Sequence, residues 1–433
     1  MNIPEIHVGI MSAPALRLTL SGHFSCGDSS HVTGTVQLTE SDGKVLYGGN
    51  TSEHLTFTPL SPECTVTLHD VTIGLEFHWQ RHEDQTFRGA MHIFPVGNRL
   101  QAVNIIDIES YLTSVVSSEM NARACTEFIK AHAIISRSWL MAQLHPDNSL
   151  SRHRCSETDS EIVRWYDREA HSLYHVCADD HCQRYQGYQK ASSPHVADAV
   201  AATAGMVLWH DGLLCDARFS KCCGGVTERF STCWQPVDYP YLEAVTDTLC
   251  HMPHPDLAEE KGAAEWIGSH PDTFCSDPPR EVLSTVLNDY DLETPDFYRW
   301  QVEYSDEELA GIIRSRTGKD FGRILSLTPL HRGLSGRIDR LEIKGTRLSM
   351  TIGKELEIRR SLSPTHLYSS AFTVHPSDYD PQGAPLRWLL RGAGWGHGVG
   401  LCQIGAAVMA HRGYTYDRIL SHYFRGAHIK KLY

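Results

Sequence analysis

Between residues 391 and 405 the chain reads RGAGWGHGVGLCQIG, with glycine at every second position from Gly392 to Gly400. Ala393, Trp395, His397 and Val399 fill the places between. An extended segment of this kind leaves one face bare, so that another surface comes close, and presents an indole and an imidazole on the other. An indole stacks on the C–H face of a sugar, so a flat ligand rich in hydroxyls suits it; tight strand-on-strand packing inside a core suits it as well. A dinucleotide fingerprint does not fit, because no start within 392–400 gives G-x-G-x-x-G and no βαβ unit surrounds it. The Gly-Lys-Ser/Thr of a phosphate loop is absent. A second candidate for chemistry is Glu119, which ends the apolar-faced run DIESYLTSVVSSEM beside Val115, Val116 and Met120. A carboxyl among apolar neighbours is placed for proton transfer; the plainer reading is a helix-end glutamate paired with Arg123. A third candidate is the window that holds seven of the 13 cysteines, Cys155 to Cys233, and overlaps eight of the 26 histidines, His132 to His210. It reads either as a Cys/His metal site or as buried thiols with surface imidazoles.

The 433 residues are 41% hydrophobic and 21% charged, as in a soluble globular protein of two or three domains. A formal charge of −13 argues against a general nucleic-acid or membrane-surface binder, which needs a basic face. The longest apolar stretch, AVAATAGMVLW, falls far short of the roughly 20 residues that span a bilayer. The opening MNIPEIHVGIMSAPALRLTLSG has neither the charged start nor the apolar core of a signal peptide, so a cytoplasmic location stays open. An odd number of cysteines cannot pair completely, and without an export signal reduced thiols or a metal site are expected over a disulfide framework.

The elements that must position these residues follow from periodicity. Residues 1–105 are β-rich, with alternating runs such as CTVTLHDV and GAMHIFPV broken by SDGK, GGN and GNR turns. The spacing then predicts a helix after Asp107 as N-cap, and a second over 126–144 with Thr126 as its cap and Pro146 as its stop. Residues 145–195 read as polar loop. MVLWHDGLLCDARFS predicts a hairpin turning at Asp211-Gly212, and SDEELAGIIRSRT a helix opened by Ser305 with Glu308 three places on. The acidic stretch 255–300 reads as an insertion lying outside the core. RIDRLEIKGTRLSMTI predicts a hairpin, and two short helices broken at Gly413 close the chain. The fold class is therefore α+β: an irregular β-rich core built from distant segments, with two helices at about 107–144 and a C-terminal helix pair packed on it. The expected organisation is a β-rich region at 1–90 and a larger domain at 91–433 containing the insertion.

Six segments, IESYLTSVVSSEM, KAHAIISRSWL, HCQRYQGY, DARFSKCCGGVTERFSTCW with YPYLEAV, SGRIDRLEIKG, and GWGHGVGLCQIGAAVMAHRGYTYDRILSHYFRG, resemble, in that order, the stage II sporulation protein D and amidase-enhancer family. They span roughly residues 90–430. The resemblance implies a peptidoglycan lytic transglycosylase in the cell envelope, which cuts glycan strands and leaves a 1,6-anhydro sugar end. Such an enzyme needs one carboxyl, because the sugar's own C6 hydroxyl attacks and a single residue serves as acid and then base. That residue would be Glu119. Arg137, Lys221, Trp395, His397 and Gln403 would contact the substrate, with an ordinary ion pair as the alternative for Arg137. His171, Cys177 and Cys182 would hold a structural zinc, with His175 and His181 close by and a fourth ligand not evident; no cofactor is required for the chemistry.

Where the family carries a Ser/Thr-rich stretch, this chain has SKCCGG. Cys222 or Cys223 beside a glycine turn could be a nucleophile, or a small residue packed against it. Three functions follow: the lytic transglycosylase, perhaps on peptide-stripped strands given the acidic charge; a non-catalytic glycan-binding enhancer of a cell-wall amidase; and a cysteine or zinc enzyme outside the envelope.

Overall fold

The computed structural model describes residues 3–74, 80–120, 123–144, 155–165, 171–179, 181–188, 193–249, 252–287 and 296–433. Pro146, the expected helix stop, lies outside them. The chain divides into two compact units, one of Met1–Leu144, Arg168–Val207 and Lys431–Tyr433, the other of His145–Asp167 and Leu208–Lys430. The expected division at residue 90 falls elsewhere, because the strands before it share a sheet with the strand after it.

That sheet has eleven strands among the described residues. Its strand Arg99–Asp107 lies between Glu5–Ala13 and Ala90–Val96, antiparallel to both, in the register Glu5↔Asp107 and Arg99↔Val96. Burial of Leu100, Ala102, Val103 and Ile106 fixes this strand, and it feeds directly into helix α1 (Ile108–Glu119). Asp107 caps α1 as expected, its Oδ1 accepting the Ser110 N–H at 2.9 Å. Ile108, Leu112, Val115 and Val116 are wholly buried or nearly so. At roughly 1.5–3 kcal/mol for each large aliphatic side chain, they dock α1 more firmly than any exposed ion pair would.

Helix α2 spans Thr126–Leu144, so Thr126 opens the helix rather than preceding it. It is buried on nearly every side from Phe128 to Ala142, the pattern of a helix inside a core. Its polar residues must therefore find partners within the unit: Ser138 Oγ donates to the Ile134 carbonyl at 2.6 Å, and Arg137 takes a carboxylate. Helix α3 (Pro194–Ala202) packs on both α1 and α2.

In the second unit a five-stranded sheet includes the expected hairpin Ile338–Gly345 and Ser349–Gly353. A three-stranded sheet places Pro385–Ala393 between Arg299–Ser305 and Phe372–Tyr379. Asp211 and Gly212 both have positive φ, 46° and 83°, the geometry of a tight hairpin turn. Both halves of the capping box at Ser305 and Glu308 form. The closing helices run over Gln403–His411 and Tyr416–Tyr423, with Gly413 at φ 86° between them.

Segment 255–300 is not the outlying insertion its composition suggests. Leu257, Ala263, Trp266, Phe274, Cys275 and Phe297 are buried, and the Trp266 indole N–H donates to the Gly224 carbonyl at 3.2 Å. Among its described residues the acidic ones are exposed, while these apolar ones belong to the core of the second unit.

Candidate functional site

Glu119 ends α1, and a segment distant in sequence holds it. The Arg184 N–H donates to Glu119 Oε1 at 3.0 Å, and the Gln186 N–H donates to Ser118 Oγ at 3.1 Å. Ser114 Oγ donates to the Gly187 carbonyl at 2.8 Å. Residues 184–187 are thereby stitched along α1, which explains why HCQRYQGY is polar in sequence and largely buried in place. Glu119 is 8% exposed. Its hydrogen-bond partner is backbone, not the Arg123 guanidinium, and Oε2 makes no hydrogen bond among the described residues. One oxygen is anchored and the other is left open.

A cavity of 340 Å³ lies along α1, lined among others by Arg88, Ser110, Thr113, Ser114, Tyr185 and Tyr188. Arg88 sits over the Tyr188 ring at 3.8 Å. Glu119 does not line this cavity: five positions beyond Ser114, it is turned about 140° around the helix.

Arg137 is fully buried, and its guanidinium forks onto Glu109, Nε to Oε1 at 2.9 Å and Nη2 to Oε2 at 2.6 Å. Nη1 donates to the Met206 carbonyl at 3.0 Å. Glu109 and the Met206 carbonyl take three of its five N–H donors and the side chain is wholly buried, so the structure places Arg137 in the ion pair that was the alternative to the expected substrate contact. Breaking a buried pair leaves an uncompensated charge. Arg137→Met is expected to lower stability by about 3–5 kcal/mol in urea unfolding, with activity per folded molecule retained.

His171, Cys177 and Cys182 come together, and His181 joins them; one ligand atom from each lies within 4.8 Å of all the others. His171 Nε2 is 3.3 Å and His181 Nδ1 3.4 Å from Cys182 Sγ. Hydrogen bonding from Cys182, and then from the two imidazoles, holds the Cys177 thiol far below its usual range. His175 turns away: its Nδ1 accepts the His7 N–H at 3.1 Å and its ring stacks on that of His7. Two thiols and two imidazoles at such separations are a donor set that a tetrahedral zinc accepts.

The remaining expected site residues lie in the second unit. The glycine strip there is not extended: Gly394, Gly396, Gly398 and Gly400 have φ of 77°, 92°, 77° and 73°. What approaches it is the protein itself. A Cβ on Gly394 would lie 2.7 Å from the Cys222 carbonyl oxygen, and one on Gly400 would lie 2.1 Å from that of Arg218. The bare backbone therefore serves close internal packing, the alternative the sequence left open, and the extended reading of the strip is corrected over 394–400. Segment 218–223 gathers three of the expected residues. Cys222 and Trp395 exchange backbone hydrogen bonds at 3.1 and 2.8 Å, and the Ile404 N–H, beside Gln403, donates to the Lys221 carbonyl at 3.2 Å. Lys221 and Gln403 are buried, whereas Trp395 and His397 are half-buried. Trp395 stacks on Phe297 with ring centroids 5.3 Å apart, which occupies one indole face.

His397 Nδ1 accepts the Val399 N–H at 3.0 Å, and its ring meets Trp234 edge-on at 4.8 Å. Burial, then the charges of Arg218, Arg337 and Arg359, push its imidazole well below the usual histidine range. His366 is pushed the same way, to about 3, by burial and by Arg359, Arg360 and Arg316. Below pH about 6.5 the unfolded chain takes up protons that these folded imidazoles refuse. Stability of the second unit is therefore expected to fall as pH drops through 6.5, by at most about 1.4 kcal/mol per pH unit for each ring. Neither ring contributes above that pH. Denaturant titrations between pH 4 and 8 check this, and His397→Asn, which keeps an acceptor for Val399, should flatten part of the slope.

Two networks escaped the sequence reading. Glu228, fully buried, accepts from the Leu334 and Ser335 N–H groups at 3.1 and 3.0 Å and from Ser335 Oγ at 2.6 Å. Arg337, also fully buried, donates to Ser335 Oγ at 2.8 Å, to the Gly396 carbonyl at 3.0 and 3.2 Å and to the Cys223 carbonyl at 3.2 Å. The second network gathers Cys223, Asp247, Cys275 and Cys402, which only the CysCysGlyGly run hinted at.

Residues 96–210 match the family described as Stage II sporulation protein, and residues 228–400 match a Domain of unknown function (DUF8618). The stage II sporulation protein D of Bacillus subtilis is 24% identical over 331 residues, 76% of each chain. An uncharacterized protein of Brachyspira hyodysenteriae is 24% identical over 79% of this chain and 72% of its own. The amidase enhancer of Bacillus subtilis is 26% identical over 56% of this chain and 33% of its own. No helix among the described residues is long and apolar enough to cross a membrane.

Proposed function

We propose that this protein, whose residues 96–210 match the family described as Stage II sporulation protein, acts in the cell envelope on peptidoglycan, cutting glycan strands as a lytic transglycosylase through Glu119. The observation that carries this reading is the carboxyl itself: nearly buried at the end of α1, held through Oε1 by one backbone N–H, with Oε2 open. Oε2 hands a proton to the leaving glycosidic oxygen as an oxocarbenium-like state develops. The C6 hydroxyl of the same sugar then attacks the anomeric carbon, and its proton returns to Oε2. The atoms balance without water, so no second carboxylate is needed. Strands stripped of stem peptides carry fewer carboxylates and suit a chain of charge −13. Among the residues expected to contact substrate in the second unit, Trp395 and His397 are half-buried, whereas Lys221 and Gln403 are buried.

His171, Cys177, His181 and Cys182 hold a structural zinc in this reading. A second reading, a glycan-binding enhancer of an amidase, draws on the similarity to the amidase enhancer. Mass spectrometry of peptide-stripped glycan incubated with the protein separates the two. Anhydro-ended fragments support the transglycosylase. Intact glycan, together with faster turnover of an added cell-wall amidase, supports the enhancer and removes the first.

A further inference from the structure

The deepest group of potential ligands in the second unit has no part in the chemistry above. Cys223, Asp247, Cys275 and Cys402 are each 2% exposed or less, and one ligand atom from each lies within 4.8 Å of all the others. Cys223 Sγ is 3.6 Å from Cys275 Sγ and 3.6 Å from Asp247 Oδ2. Four ligands around one tetrahedral zinc, with metal–sulfur bonds of about 2.3 Å, have sulfur–sulfur edges of about 3.8 Å. The observed spacing suits one ion; a cluster of several irons would spread its ligands further.

The surroundings are those of thiolates. The Cys223 and Gly405 N–H groups donate to Cys402 Sγ at 3.2 and 3.5 Å, and the Gly225 N–H donates to Cys223 Sγ at 3.4 Å. Such donors offset the charge that several thiolates bring to a buried site. Gly225, at φ 106°, turns its amide back onto the sulfur two residues before it. Asp247 is oriented as a ligand: Tyr423 O–H donates to Oδ1 at 2.6 Å and leaves Oδ2 toward Cys223. Space has been kept for this carboxylate, since a Cβ on Gly405 would lie 2.6 and 2.8 Å from its two oxygens.

We propose that Cys223, Asp247, Cys275 and Cys402 bind one zinc ion, a closed structural site separate from the His171 cluster. Binding replaces the three thiol protons, which pass to solvent, with three sulfur–metal bonds; no electron moves. With every ligand buried, no position opens to substrate. The ion ties Cys275, in the segment 255–300, to the CysCysGlyGly turn and to Cys402 at the start of the helix Gln403–His411.

The test uses the full-length protein. Cys177→Ser with Cys182→Ser removes the first cluster, and elemental analysis of that variant should still find one zinc ion per chain. Adding Asp247→Asn, which keeps the size and an acceptor for Tyr423, should weaken zinc retention in a chelator titration by at least tenfold. Cobalt exchanged into the Cys177→Ser, Cys182→Ser protein should give thiolate charge-transfer absorption, which reads coordination without any activity. Absence of metal from that protein while it remains folded would overturn the proposal. So would a non-reducing mass showing Cys223 joined to Cys275, or to Cys222, as a disulfide. If the Asp247→Asn variant fails to fold, alkylation decides: chelator must raise the number of reactive thiols in the folded Cys177→Ser, Cys182→Ser protein, and an unchanged number counts against the site.

Discussion

On the proposed reaction, Glu119→Gln is expected to lower the rate of glycan cleavage by roughly two to four orders of magnitude, the usual contribution of a positioned general acid, and to leave the thermal midpoint unchanged. Both halves follow from the same geometry. Glutamine matches glutamate in size, and its amide oxygen still accepts the Arg184 N–H that holds Glu119 Oε1 at 3.0 Å. What it cannot do is release a proton to the leaving oxygen or take one from the C6 hydroxyl. Glu119→Asp is a second probe: it keeps the acid but withdraws it by one methylene, so the rate falls although the functional group survives. Initial rates of anhydro-end formation, beside melting curves for each variant, check the expectation. A midpoint that falls together with the rate would assign Glu119 to the fold instead.

Arg337→Met is expected to lower stability by about 3–5 kcal/mol. Glu228 and Arg337 are both fully buried and are joined through Ser335 Oγ, which donates to Glu228 at 2.6 Å and accepts from Arg337 at 2.8 Å. Removing the guanidinium breaks the link to Glu228 through Ser335 Oγ and takes the donors from the Gly396 and Cys223 carbonyls. The glycine strip should loosen with it. A Cβ on Gly398 would lie 2.4 Å from the Arg337 guanidinium carbon, at φ 77°. Gly398→Ala is therefore destabilising alone and less so in the Arg337→Met background, a coupling that a double-mutant cycle in urea reads directly. Additive losses would show that the two residues act independently.

These two sites show which information the sequence carries in the open. Local chemistry was legible: Asp107 as a cap, the Asp211-Gly212 turn, the Ser305 capping box and the two closing helices depend on residues within a few positions of one another. The α+β class followed from the same periodicities. Contacts across long separations were not legible. The glycines of 394–400 look like a bare strand face because alternation is also the mark of a strand, yet positive φ at each makes the segment wind against 218–223. Arg137 looks like a ligand-binding arginine until Glu109, 28 residues earlier, is seen to fill its fork. Acidic composition made 255–300 look peripheral, because charge counts do not reveal Trp266 and Cys275 in the core. Cys223 and Cys402 stand 179 residues apart, and no spacing rule reaches that far. His181 could have been singled out earlier only by noticing that His175 sits in strand register beside His7.

The most direct test of a single carboxyl working without a hydrolytic water is digestion of peptide-stripped glycan in ¹⁸O-labelled water, followed by mass spectrometry. Release of 1,6-anhydro ends carrying no solvent oxygen is the expected result, since the C6 hydroxyl supplies the new bond. Reducing ends labelled with ¹⁸O, or glycan left intact by the purified protein, would contradict it.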